Sequence, residues 1–101
     1  MIARLWHGWT HPDNADAYEN LLRSEVFPRI HRIAGFDGAY LFRRQAGGEI
    51  EFVTVTMFES LDAVRAFAGP DYEAAVVPPE ARNLLSHFDA RSVHYETRIT
   101  P

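Results

Sequence analysis

Five histidines, His7, His11, His31, His87 and His94, are the side chains of this chain best suited to move a proton near neutral pH. None forms an H-x-H strand pair or an H-x-x-x-H helical pair beside a carboxylate, so the spacing carries no metal-ligand pattern and no metal is expected. Cysteine is absent, which removes disulfides, thiolate nucleophiles and zinc–thiolate sites together. There is no Gly-rich phosphate loop, no Walker pattern, no G-x-S-x-G elbow and no EF-hand spacing, so no cofactor is expected either.

Of the five, His7 has the most suggestive surroundings. In an extended first segment Ala3, Leu5, His7 and Trp9 point one way while Ile2, Arg4, Trp6 and Gly8 point the other. Burying Arg4 is costly, which assigns the His7 set to a helix-covered core. The imidazole then lies among Trp9, Tyr40, Phe42 and Met57, an apolar enclosure of the kind that lines small-molecule sites. Burial there favours neutral imidazole, a general base. The same position also suits a packed histidine bonded to a backbone carbonyl, and Trp9, Tyr40 and Phe42 are equally at home as plain core. Phe67 points inward from a later helix. Tyr72, just past Gly69-Pro70, either drops its hydroxyl into the same space or packs a helix. His94 falls on the face of Trp6, as a polar contact inside a subunit interface or as a surface residue of an edge strand.

The elements that must position these groups follow from periodicity. Ile2 to Thr10 reads as a strand before Pro12. Thr10 and Asp13 suggest a cap for a helix whose apolar stripe is Tyr18, Leu21, Leu22, Val26, Ile30 and Ile33, ending near Ala34 with Gly35, and kinked or broken at Pro28. Phe36 to Gln45 and Ile50 to Phe58 form a hairpin about Gly47-Gly48, in which every cross-strand pair sums to 95. One face then carries Phe42 opposite Val53, Tyr40 opposite Val55, Met57, and an Arg44–Glu51 ion pair. The other carries Leu41 opposite Thr54, Ala39 opposite Thr56 and Arg43 opposite Phe52. Ser60 caps a helix to Ala68, a short helical piece spans Asp71 to Val77, Glu80 to Leu85 adds a turn, and Ser86 to Thr97 is a last strand.

Strand, helix, strand, strand, helix, strand is the ferredoxin-like βαββαβ order: an α+β fold with a four-stranded antiparallel sheet and helices on one face. The apolar face of the hairpin is expected under the helices. Leu41, Phe52, Thr54, Thr56 and Trp6 then await a second copy, making a homodimer.

Composition narrows the class. The chain has 101 residues, 47% of them hydrophobic, the profile of one domain spanning 1–101. A net charge of -4 leaves no basic patch for nucleic acid or an anionic membrane. No signal-peptide pattern opens MIARLWHGWT and no apolar run reaches the roughly 20 residues of a membrane span, so a cytoplasmic location is expected.

The segments MIARLWHGWT, GAYLFRRQ, EFVTVTMFES, LDAVRAFAGPDYEAAV and SVHYE together resemble the antibiotic biosynthesis monooxygenase family of dimeric α+β barrel proteins. The resemblance implies a barrel made by two sheets, with a pocket between each sheet and its own helices. It implies oxidation of phenolic or polyketide-like aromatics to quinones by molecular oxygen, without metal, flavin or haem. The substrate anion supplies the electron, and the protein need only bind, deprotonate and exclude water. His7 and Tyr72 would then be catalytic, with Trp9, Tyr40, Phe42, Met57 and Phe67 against the substrate. The oxygenases carry an Asn and a Trp near the second helix, where this chain has Phe67. The haem-degrading branch carries an Asn in the first strand, where His7 stands, and a His near Tyr72 to Val77, where there is none, so haem degradation is not implied. A cyclase or isomerase for polyketide-like compounds and a non-catalytic binding protein remain as alternatives within the same superfamily.

Overall fold

In the computed structural model, which describes residues 1–101, the chain runs β1 (Ile2–Thr10), α1 (Pro12–Leu21), a π turn (Leu22–Val26), α2 (Phe27–Ile30), β2 (Phe36–Ala46), β3 (Glu49–Phe58), α3 (Leu61–Ala68), α4 (Pro79–Arg82), β4 (His87–Phe88) and β5 (Val93–Glu96). The sheet order is β2-β3-β1-β4, with β5 also on the free edge of β1, and every pairing is antiparallel. This is the expected α+β arrangement, with its fourth strand broken in two.

The hairpin register agrees with the sequence: Phe42 pairs with Val53, Tyr40 with Val55 and Arg43 with Phe52. The loop is closed by Gly47 at φ +64°, a left-handed conformation that glycine adopts freely. Arg44 and Glu51 meet at 2.8 Å.

Three local expectations change. Helix α1 starts from His11 with Pro12 in its first turn and has no side-chain cap; Thr10 Oγ1 is buried and bonds nothing. Pro28 does not break the helix. A proline ring crowds the carbonyl four residues back, here Ser24, and the preceding turn widens to π geometry, with Phe27 N–H donating to Leu22 O. Asp71 to Val77 is not helical: Pro78 has no N–H with which to close a last turn and disfavours helical geometry at Val77. It makes a turn closed by Ala74 N–H to Asp71 O at 3.0 Å and then runs beside residues 90–92 through the Ala74–Arg91 bridge, Ala75 N–H to Ala90 O at 2.9 Å and Ser92 N–H to Glu73 O at 2.7 Å.

The largest correction concerns the sheet faces. The helical stripe Tyr18, Leu22, Val26 and Ile30 packs with Phe52, Phe58, Ala63 and Val64, all buried. The helices therefore cover the face of Arg4, Trp6, Phe52, Thr54 and Thr56, which the sequence had left for a second copy. The face of His7, Trp9, Tyr40, Phe42 and Met57, expected in the core, is bare, with Tyr40 58% and Phe42 55% exposed. The physical reason is shape. Tyr18 against Phe52, 4.8 Å between ring centroids, and Phe58 against Phe67, 5.7 Å, bridge sheet and helices. The small Thr54 and Thr56 between them leave space beneath the helices, and Gly8 lets Leu85 and the Trp6 ring close over its backbone. Close approach on this side also needs Gly35, φ +87°, where a Cβ would lie 2.6 Å from that of Ala63.

Candidate functional site

A cavity of about 60 Å³, open to solvent at its mouth, lies between the covered face and the helices. Its sheet side is Arg4, Trp6, Thr54 and Thr56; its helical side includes Leu22, Val26 and Phe27; Phe67, Val77 and Ser92 also line it. Apolar and aromatic walls with few polar groups are the usual make-up of a small-molecule site.

Arg4 dominates its electrostatics. The side chain is 4% exposed, and it enters the core because backbone carbonyls receive it: Nη1 donates to Tyr72 O, and Nη2 to Ala74 O at 2.9 Å. Its guanidinium also lies over the Phe67 ring, 5.4 Å from the centroid. Burial pulls its pKa down to about 10, so it stays charged at neutral pH. Nη1 is also 3.0 Å from His94 Nε2. A guanidinium can only donate, so Nε2 accepts and the His94 proton sits on Nδ1, which is buried without a partner. Burial, and secondarily the charge of Arg4, lowers the His94 pKa. Burial likewise pushes the Tyr18 phenol up, keeping it neutral. Trp6 Nε1 is committed to Asp89 O at 2.7 Å, while Thr54 Oγ1 is buried and unbonded.

A neutral His94 beside a permanent cation makes the fold acid-sensitive. Because its folded pKa lies below the ordinary 6.5, the unfolded chain takes up more protons as pH falls below that value, and stability drops with it. Thermal melts between pH 7.5 and 5 should show this loss, and His94→Gln, which keeps an acceptor for Arg4, should flatten it.

Of the residues singled out in the sequence, Phe67 lines the cavity. Tyr72 stands beside it, its ring edge-on to His94 at 5.2 Å and under the Arg65 guanidinium at 5.2 Å, contributing its carbonyl to Arg4. His7, Trp9, Tyr40, Phe42 and Met57 do come together, on the open face. There His7 Nδ1 meets Asp89 Oδ2 at 2.9 Å and Nε2 lies 3.9 Å from Glu51, while Trp9 stacks on His87 at 4.4 Å. His94 is in no interface of the kind expected, because the helices and the 71–77 segment cover its side of the sheet. Arg4, Thr54 and Thr56 were missed as site residues. The signal for Arg4 was its place in the alternation among apolar neighbours. No cluster of three His, Cys, Asp or Glu side chains could hold a metal ion.

Solved structures share this arrangement along the whole chain. A mutant of SnoaB, a cofactor-independent oxygenase from Streptomyces nogalater, superposes with a TM-score of 0.69 at 19% identity, over 98% of this chain and 94% of that one. The monooxygenase ActVA-Orf6 of Streptomyces coelicolor, in complex with nanaomycin D, gives 0.63 at 17% identity, over 99% and 91%. This chain has the fold of those oxygenases. The resemblance read from the sequence holds at that level. A mutant of MhuD with two manganese protoporphyrin IX bound per active site also shares the fold, with a TM-score of 0.64 at 19% identity, over 100% of this chain and 98% of that one. No family model and no curated protein matches the sequence. No helix is long and apolar enough to cross a membrane.

Proposed function

We propose that this chain is a cofactor-independent monooxygenase for a phenolic or polyketide-like aromatic, bound in the cavity between the sheet and its own helices. The observation that carries this reading is the cavity itself: aromatic and aliphatic walls, small hydroxyls and one buried cation, in a fold shared with SnoaB and ActVA-Orf6. A ring CH2 in the keto form of such a substrate loses a proton to give an electron-rich anion. The anion passes one electron to O2, the two radicals combine as a peroxide, and loss of water leaves C=O, so that one oxygen atom enters the ring and the other departs as water. The chain's part is to orient the ring system, stabilise the anion and exclude bulk water. His7 has no place in this scheme, because it lies on the other side of the sheet.

The working unit in this proposal is a homodimer formed through the open face. Tyr40, Phe42, Val93 and Tyr95, each about half exposed, adjoin Leu5, Val53, Val55 and Met57 in one apolar expanse. Soluble monomers seldom leave such a patch in water, and a two-fold axis lets the same face cover itself.

Anthrone in an oxygen electrode tests the activity. Purified protein without added metal, flavin or haem should consume one O2 per quinone formed, about 10²-fold or more above the buffer rate. An unchanged rate would count against an oxygenase. Conversion of a polyketide-like probe without oxygen uptake would favour a cyclase or isomerase.

A further inference from the structure

Arg4 has what no other arginine of the chain has, a buried charge with no carboxylate near it. Arg23, Arg29, Arg43, Arg44, Arg65, Arg91 and Arg98 all reach carboxylates, and Arg32 and Arg82, which do not, are exposed to water. Around Arg4 the partners are two carbonyls and a neutral imidazole, none of which cancels its charge. The Glu73 carboxylate, which acts on His94, is exposed and bonded to Arg91 at 3.2 Å. A buried cation without a counter-ion is destabilising, because its lost hydration is not replaced by an opposite charge, and an anion binding beside it offsets that loss.

The donors to receive an anion are present. Three of Arg4's N–H groups are taken, two from Nη1 and one from Nη2, which leaves Nε–H and the second Nη2 hydrogen without protein acceptors. Thr54 Oγ1, on the sheet side of the same cavity, is a further unbonded hydroxyl. We propose that the cavity takes its ligand as an anion, a planar apolar molecule whose single ionised oxygen group is held by the free N–H groups of Arg4. The inference rests on the cavity being the ligand site and is independent of any reaction with oxygen. It also supplies the deprotonation for which the covered face has no free base. A phenol entering beside Arg4 loses its proton to solvent because its anion is the better-bound form, and His94 cannot serve as base while its Nε2 lone pair is occupied.

The test uses 2-naphthol, 2-naphthoate and the neutral 2-naphthamide as probes of one shape. Calorimetry at pH 7.5 should show 2-naphthoate binding at least about 10-fold more tightly than 2-naphthamide. The naphtholate absorption band should show bound 2-naphthol ionising about 1–3 pH units below its value in buffer, the displacement expected next to an opposite charge. Arg4→Met should abolish both effects, and Arg4→Lys should retain part of the ionisation shift. A shift with 2-naphthol alone would identify a phenolate ligand, and discrimination with 2-naphthoate alone a carboxylate. Equal binding of charged and neutral probes by the native protein, with 2-naphthol ionising normally, overturns the proposal. So does absence of saturable binding of all three, or an effect that survives Arg4→Met. Should Arg4→Met not fold, the comparison of probes on the native protein and on Arg4→Lys decides. Oxygen uptake with anthrone but no charge discrimination removes this inference and leaves the oxygenase, whereas the converse removes the oxygenase and leaves an anion-binding protein.

Discussion

Phe52→Ala should lower the unfolding free energy by about 3–5 kcal/mol, the range seen when a buried phenylalanine is truncated in a core. Phe52 is fully buried, packs its ring 4.8 Å from that of Tyr18 and lies under the Arg43 guanidinium at 5.5 Å. Removing it empties the space between the sheet and α1, which the rigid helix fills only in part. Small domains hold about 5–15 kcal/mol in total, so the variant should melt far below the parent, and urea titration measures the loss. The result also separates the two faces. If Phe52 belonged to a subunit interface, its truncation would instead lower stability mainly on dilution, with the monomer's own unfolding unchanged. A loss below about 1 kcal/mol, typical of surface substitutions, would contradict burial under the helices.

Phe42→Glu, on the opposite face, should leave the monomer folded and weaken dimerisation by about 10²-fold or more. An aromatic anchor at the centre of an interface is worth about 2–4 kcal/mol, and the substitution adds an unpaired carboxylate at the same place. Phe42 stacks on Tyr40 with ring centroids 6.2 Å apart and is half exposed, so its replacement removes little from the protomer's own core. Analytical ultracentrifugation should find the parent as a dimer at micromolar concentration and the variant as a monomer with the same circular dichroism. A parent that sediments as a monomer would sink the dimer, and a variant that unfolds outright would mean that this face is packed within the protomer.

These variants bracket the division between what the sequence decided and what it left open. The two glycines of the hairpin loop set a register in which Phe42 must meet Val53 and Arg44 must meet Glu51, because a two-residue loop leaves no other pairing. Alternation along β1 likewise grouped His7 with Leu5 and Trp9, and Arg4 with Trp6. The stripe from Tyr18 to Ile30 marked the helical face that enters the core. Each is a local property, carried by residues a few positions apart.

Which side of the sheet the helices take is not local. A period of two says which side chains share a face and is unchanged when the sheet is turned over, and both faces here are apolar enough to be buried. Tertiary packing decided it, through Phe52 and Phe58 meeting Tyr18, Val64 and Phe67 on either side of the space left by Thr54 and Thr56. Arg4 pointed the wrong way for the same reason. A guanidinium in a core is prohibitive on its own and tolerable once acceptors reach it, and those acceptors are the carbonyls of Tyr72 and Ala74, 68 and 70 residues along the chain. They are there because residues 71–77 turn and then pair with residues 90–92 instead of continuing as a helix, which leaves the Tyr72 and Ala74 carbonyls directed at the cation.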